Sequence, residues 1–346
     1  MTQAIAQAIN PNRCFVIAEL SANHGHSLET ALATVRAAKA CGADAIKIQT
    51  YTADTITLDC DNDYFQIKQG TIWDGTTLHK LYQQAYTPWE WHAAIQAEAQ
   101  KEGLVFFSTP FDFSAVDFLE SLEVPLYKIA SFEITDIPLI EYAASKGKPM
   151  LISTGIATLA EIDAAVQACR RMGNQDITLL KCTSSYPAPV EEANLLTIPN
   201  LAQTFGVKAG LSDHTLGHAV AIAATALGAT VIEKHFILDR AIGGPDASFS
   251  MTPSEFGSMV EGIRQAEAAL GEVSYQLSDK AMLSRQFSRS LFVCEDVKAG
   301  EVFTPSNLRS IRPAYGLAPV HLPSLLGRSA SQDIQAGTPM SWLLVS

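Results

Sequence analysis

Cysteine, positive charge and long apolar runs are all scarce in this chain of 346 residues, and each shortage removes a class of function. The six cysteines (14, 41, 60, 169, 182 and 294) lie far apart with no CxxC pair. That excludes a zinc ribbon and a dithiol redox motif, and leaves reduced, buried thiols as the expectation. Lys and Arg number 24 against 36 Asp and Glu, a formal charge of −12. The chain therefore lacks the electrostatic footprint of a nucleic-acid or anionic-membrane binder, and an anionic substrate needs a local basic pocket. The longest low-polarity stretch, 219–232, falls short of the roughly 20 residues of a membrane span. No basic and then apolar leader pattern occurs in the first 13 residues, so a soluble cytoplasmic protein is expected. No GxGxxG follows the first apolar run.

What is present is apolar material: 47% hydrophobic residues with 17% charged, enough for a large core and unlike a disordered chain. Eight short β-branched runs alternate with helical patterns, at 14–20, 44–50, 104–110, 126–131, 150–155, 177–183, 207–213 and 230–236. Between the first two, Leu28, Ala31, Leu32, Val35 and Ala38 recur at helical spacing and define one buried face. Eight strand–helix units in about 260 residues predict a (β/α)8 TIM barrel, with a doubly wound open sheet as the alternative. The stretch from Tyr51 to Tyr86, rich in acidic and aromatic residues, is too long for a plain connection and is expected to cover one end of the barrel. Past Gly271 comes a helix-like basic linker, then short strands punctuated by Lys-Ala-Gly, Thr-Pro and Arg-Pro, the turn chemistry of a small all-β domain. The expected organisation is a catalytic barrel over 1–275, a linker over 276–289 and a small domain over 290–346. So small a domain has a limited core and is expected to dock on a barrel, its own or a partner's.

A (β/α)8 barrel carries its active site at the C-terminal ends of the strands, and here those ends are polar. Alternation along a strand puts Lys47 with Gln49, Ser212 with His214, and Glu233 with His235 on shared faces. His214 and His235 end the seventh and eighth strands, close enough to share a divalent ion; the alternative is two hydrogen-bonded structural histidines. His24 and His26 are weaker candidates for the site, and His79, His92, His218 and His321 are assigned to structure. Lys47 and Lys128, ringed by Ser131, Ser153, Ser184 and Ser212, form a cradle for phosphate or carboxylate, unless each lysine merely pairs with a glutamate. Glu19, Glu133 and Glu233 are placed either to orient water and exchange protons or to neutralise those lysines. Lys181 and Lys234 have the wrong alternation and are left structural.

The segments IAELSANHGH, GADAIKIQTY, FFSTPFD, YKIAS, ISTG, CTSSYP, GLSDHTLG, IEKHF, GPDASFSM and IRPAYGL run in order over essentially the whole chain. Together they resemble the bacterial nonulosonic (sialic) acid synthases, which condense phosphoenolpyruvate with an amino-sugar aldehyde. The resemblance implies a TIM barrel followed by an antifreeze-like (SAF, β-clip) domain. It also implies a domain-swapped homodimer in which the tail brings an arginine, here Arg312, to the partner's active site. By the same carry-over, His214 and His235 hold Mn²⁺ or Mg²⁺, and Lys47, Lys128, Ser131, Ser153 and Ser212 hold phosphoenolpyruvate. Glu19, Gln49, Thr109, Phe111, Tyr186, Glu233 and Asp246 line the sugar and reaction sites. One departure is that Ser184 stands in CTSSYP where sialic acid synthases resemble CTNIYP with an asparagine. That motif and the long loop look like the branch that makes pseudaminic acid from a 2,4-diacetamido-2,4,6-trideoxy-altrose. Tyr64, Phe65 and Trp73 are then candidates for an apolar contact to the 6-deoxy carbon, or simply pack a lid on the barrel rim. The competing expectations are N-acetylneuraminate or legionaminate synthesis, a class I aldolase or lyase with a Schiff base at Lys128, and a non-enzymatic carbohydrate-binding protein.

Overall fold

The computed structural model describes residues 13–68 and 70–346, so most of the N-terminal stretch screened for a leader, 1–12, lies outside the described residues. The chain divides into two compact units, Met1–Gly271 and Glu272–Ser346.

In the first unit β1 (Phe15–Glu19), α1 (Leu28–Ala40) and β2 (Ala45–Thr50) are followed by α2 (Ala53–Ile56), α3 (Leu78–Ala85) and α4 (His92–Lys101). Next come β3 (Val105–Pro110), α5 (Phe113–Ser121), β4 (Tyr127–Ile129), α6 (Ile137–Ala144), β5 (Met150–Ser153) and α7 (Leu159–Arg171). The unit ends with β6 (Ile177–Cys182), α8 (Thr197–Phe205), β7 (Lys208–Asp213), α9 (Ala219–Ala226), β8 (Val231–His235) and α10 (Pro253–Leu270). The eight strands are parallel and close β1 to β8 in sequence order, the expected TIM barrel and not an open sheet.

Alternation along the strands sorts side chains into two cores. Val16, Ala18, Ile46, Ile48, Phe106 and Ile129 face the helices and join the larger cluster. Phe15, Ile17, Ala45, Phe107, Leu126, Leu151, Leu180 and Val231 point inward and fill the lower barrel. Two residues further along, those inward rows become Glu19, Lys47, Thr109, Lys128, Ser153, Cys182 and Glu233. The barrel is thus apolar at its floor and polar at its C-terminal mouth, and the packed floor holds the polar layer in place. Helix starts are fixed by side-chain caps: Ser27 accepts from Thr30 N, Asp112 from Ala115 N, and Thr158 with Glu161 forms a capping box. Each such cap contributes about 1 kcal/mol.

The long connection after β2 is not structureless. It contains α2, α3 and a small hairpin in which Gln66 bridges Thr77 and Ile67 N donates to Thr76 O at 3.0 Å.

In the second unit, α11 (Asp279–Ser284) precedes an antiparallel pair, β9 (Ser290–Val293) and β10 (Leu308–Ile311). The remaining β-structure is a set of single bridges such as Val297 with Ile334 and Ala330 with Val345, plus a short helix α12 (Leu322–Leu325). Strands stay this short because Gly300, Pro305 and Gly337 interrupt the ladders. Its core includes Leu291, Val293, Phe303, Leu308, Leu325 and Met340.

Candidate active site

At the mouth of the barrel, Glu19 on β1 and Lys47 on β2 are register partners and form a buried ion pair. Lys47 Nζ also lies 3.5 Å from Glu233 Oε1 and donates to Thr109 Oγ1 at 3.3 Å. Lys128 Nζ donates to Ser153 Oγ at 2.7 Å and lies 3.6 Å from the same Glu233 oxygen. Ser212 Oγ donates to that oxygen at 3.2 Å, and Gln49 Nε2 donates to Glu19 Oε1 at 3.3 Å. Two lysines therefore share two carboxylates, all four buried, where an unpaired charge would be costly.

That sharing splits the proton affinities. Burial pushes the Glu19 carboxyl up, with Lys47 only partly opposing it. Burial also works against ionised Glu233, but Lys128 and Lys47 outweigh it and hold that carboxyl below its usual range. Lys128 is lowered, chiefly by burial, whereas Lys47 is raised because Glu19 and Glu233 more than offset its own burial.

Ser131 and Ser184 meet across Gly155, whose N–H donates to Ser131 Oγ at 3.1 Å. A Cβ at Gly155 would collide with both hydroxyls, so only glycine lets this small donor cluster close. Ser184, which replaces the expected asparagine, thus sits beside Ser131 but outside the lining of the central pocket.

Beside the lysines, the rings of His214 and His235 are 5.3 Å apart at the ends of β7 and β8. His214 Nδ1 lies 3.0 Å from Thr183 O; a carbonyl only accepts, so Nδ1 carries a proton and Nε2 is the nitrogen left for a ligand. His235 Nδ1 is buried without a hydrogen-bond partner, 3.7 Å from Asp246 Oδ2. Burial, with His214 adding, lowers His235 well below the ordinary range and keeps it neutral. Asp246 is itself anchored by Ser21 Oγ at 2.5 Å. Burial works against an imidazolium at His214, but Cys182 and the Thr183 carbonyl outweigh it and raise that ring's proton affinity, so a divalent ion using His214 Nε2 and His235 Nδ1 beside the Asp246 carboxylate would have to displace a proton from His214. Among the described residues no group of three or more His, Cys, Asp or Glu side chains is gathered closely enough to hold a metal ion.

Tyr186 leans over His214 with ring centroids 4.4 Å apart, and Phe249 packs on Tyr186 at 5.2 Å and on His235 at 5.0 Å. The central pocket is lined by Glu19, Lys47, Gln49, Lys128, Ser131, Ser153, Tyr186, Ser212, His214, Glu233 and His235 from the candidate set, together with Ala130 and Cys182. Thr109 and Asp246 reach it through Lys47 and His235. Phe111 packs instead on Tyr51, at 5.1 Å, outside that lining. Arg312 is an exposed residue of the second unit. His24 is buried, with its ring 5.5 Å from Trp91, and is also outside the lining. Lys234 is the partner of Asp213 on the helix-facing side. Three contributors escaped sequence reasoning. Phe249 and Ser21 lie in loops with no periodicity, and Cys182 passed for a core residue although its inward parity in β6 was a usable signal.

Residues 34–275 match the NeuB family, and residues 288–345 match the SAF domain. The chain belongs to the NeuB family. It is 50% identical over 327 residues to a pseudaminic acid synthase of Helicobacter pylori, covering 94% of this chain and 96% of that one. An N,N'-diacetyllegionaminic acid synthase of Legionella pneumophila is 36% identical over 95% of this chain and 94% of its own length. Among solved structures, the N-acetylneuraminic acid synthetase of Leptospira borgpetersenii, in complex with citrate, superposes with a TM-score of 0.70 at 30% identity. That match covers 80% of this chain and 91% of the other. A NeuB barrel followed by a SAF unit is the architecture expected from the motifs, and no described helix is long and apolar enough to cross a membrane.

Proposed function

We propose that the chain is a pseudaminic acid synthase. It joins C3 of phosphoenolpyruvate to the aldehyde carbon of 2,4-diacetamido-2,4,6-trideoxy-L-altrose, adds water at C2 and releases inorganic phosphate. The observation that carries this reading is the pairing of Lys47 and Lys128 with Glu19 and Glu233 beside two histidines, in a chain half identical to a pseudaminic acid synthase along nearly its whole length.

Phosphoenolpyruvate is an anion, and Lys47 and Lys128 would hold its phosphate and carboxylate while Ser131, Ser153, Ser184 and Ser212 supply hydroxyl donors. The lysines are pre-positioned by the glutamates, so little reorganisation is needed when the substrate binds. His214 and His235, with Asp246 alongside, would hold a divalent ion, Mn²⁺ or Mg²⁺; when bound there it supplies Lewis-acid polarisation of the aldehyde oxygen. Attack by C3 leaves cationic character at C2, and Glu19 and Glu233 place carboxylate oxygens beside that carbon and its incoming water. The oxygen that water brings stays on C2, and the C2–O bond to phosphate breaks as phosphate leaves. Gln49 fixes Glu19, and Thr109, Tyr186 and Asp246 would surround the sugar, with Phe111 backing that wall only through Tyr51.

The catalytic domain spans 1–275, joined by a linker over 276–289 to the unit at 290–346. In a homodimer the C-terminal unit of one copy covers the barrel mouth of the other and brings Arg312 to the substrate anions. Exposed Phe113, Phe132, Ile156, Leu159, Leu196 and Leu216, in the loops and first helical turns that follow β3 to β7, would supply the apolar surface such a cover needs. The proposed setting is the cytoplasm.

The test is product identification by mass spectrometry and NMR after incubation with phosphoenolpyruvate, Mn²⁺ and the diacetamido sugar. The nine-carbon 2-keto acid with both acetamido groups is expected; its absence overturns the reading.

A further inference from the structure

The pocket that holds the chemistry is small, about 50 Å³, with Glu19 and Glu233 among its lining residues. A wider hollow of about 320 Å³, largely open to the outside, is lined by the hairpin of the long β2 connection together with Leu81, Gln84, Gly244 and Pro245. That volume is within the range of small-ligand sites, roughly 300–1,000 Å³. Trp73, half-buried at the hairpin tip, lines the larger cavity, while Tyr186 lines the smaller. The two rings touch, with centroids 5.4 Å apart, so this aromatic pair is where the linings of the two hollows meet.

The tip is held by several contacts. Trp73 Nε1 donates to Pro245 O at 3.0 Å, tying it to the loop that carries Asp246. Asp74 accepts from Gly70 N and from Thr71 N, each at 2.9 Å, which folds the turn that presents Trp73. On another wall Gly244 has φ +111°, a backbone conformation that side-chain-bearing residues rarely adopt, and it presents backbone there. Ile72, Trp73, Leu81 and Pro245 give apolar surface, and Thr76 and Gln84 give hydrogen-bonding groups. This mixture suits a methyl group and an acylamido group side by side, and is less suited to a chain of free hydroxyls.

We infer that this cavity is the subsite for the end of the sugar farthest from the aldehyde, and that Trp73 is a specificity-determining residue for a 6-deoxy sugar with a second acylamido group. The inference rests on the synthase reading above. An extended aldose whose aldehyde lies near His214 leaves the small pocket past Tyr186, meets the Trp73 face with its C–H groups, and places C4 and its substituents in the larger cavity. Tyr64 takes no part, being 90% exposed.

The experiment is steady-state kinetics with Mn²⁺ on the full chain, comparing the diacetamido 6-deoxy sugar with N-acetylmannosamine, in wild type, Trp73→Ala, Trp73→Phe and Gln84→Ala. Trp73→Ala is expected to raise KM for the diacetamido sugar about tenfold or more and to lower its kcat/KM preference over N-acetylmannosamine by a similar factor. KM for phosphoenolpyruvate and kcat should stay within twofold. Trp73→Phe, which keeps a ring and loses the bond to Pro245, should fall between. Gln84→Ala, on the exposed face of α3, should raise the same KM about threefold, and it provides the test if Trp73→Ala misfolds. Sugar KM and preference within twofold of wild type, or KM for both substrates rising together, would overturn the subsite. Wild type inactive with the diacetamido sugar would instead remove the synthase reading, and the subsite with it.

Discussion

Lys128 and Glu233 stand 3.6 Å apart across the barrel mouth, and Glu233 Oε1 is at the same time 3.5 Å from Lys47. One carboxylate oxygen therefore holds both cations of the proposed anion cradle in position before any substrate arrives. This pre-organisation links the fold to the chemistry, because Lys128, Lys47 and Glu233 come from β4, β2 and β8 and meet only when the barrel closes.

Replacing Lys128 removes one of those cations and weakens the restraint on Glu233. Lys128→Ala is expected to lower kcat/KM for phosphoenolpyruvate by at least a hundredfold, read from initial rates of phosphate release. Borohydride in the presence of pyruvate should leave wild-type Lys128 unmodified by mass spectrometry, since its ammonium is engaged with Ser153 and Glu233. A trapped adduct would favour the Schiff-base alternative.

His214→Ala and His235→Ala each take away one available ring nitrogen. Both variants should bind Mn²⁺ at least tenfold more weakly by calorimetry, lose turnover, and keep a native circular dichroism spectrum. Unchanged Mn²⁺ affinity would reject these histidines as ligands.

Glu133 follows Ser131 in the turn after β4, and its Oε2 is buried without a partner. Burial, only partly opposed by Lys128, pushes this carboxyl up to about 7 from an ordinary 4.5. In that interval the folded chain binds more protons than the unfolded one, so stability falls as pH rises from about 4.5 to 7 and levels off above. The effect is at most about 3 kcal/mol. Urea midpoints across this window should decline less steeply in Glu133→Gln than in wild type; equal slopes would contradict the assignment.

Lys234 and Asp213 form a buried pair on the helix-facing side of β7 and β8, with Lys234 Nζ also 2.6 Å from Thr215 O. Lys234→Met leaves Asp213 uncompensated and should cost about 3–5 kcal/mol of unfolding free energy by urea titration. A loss below 1 kcal/mol would show that water reaches the pair.

Much of this site was legible in the sequence because barrel strands alternate strictly. Once Phe15 and Ile17 face inward, Glu19 must as well, and the same parity delivers Lys47, Lys128, Ser153, Ser212 and Glu233. It also sets Lys234 apart, on the other face. Loop residues carry no such period: Phe249 and Ser21 take their places from tertiary packing around His235 and Asp246. Trp73 was identifiable as a lid aromatic, but its bond to Pro245, 172 residues away, is a product of the closed barrel. The placement of Phe111 against Tyr51 likewise depends on how the β2 connection folds back.

The most direct test of the central claim is phosphate release from phosphoenolpyruvate with Mn²⁺, with the diacetamido altrose sugar and N-acetylmannosamine run in parallel, each with and without EDTA. The account predicts rapid release with the diacetamido sugar, abolished by EDTA and restored by Mn²⁺, and little with N-acetylmannosamine. Release that favours N-acetylmannosamine, or that EDTA leaves unchanged, would contradict it.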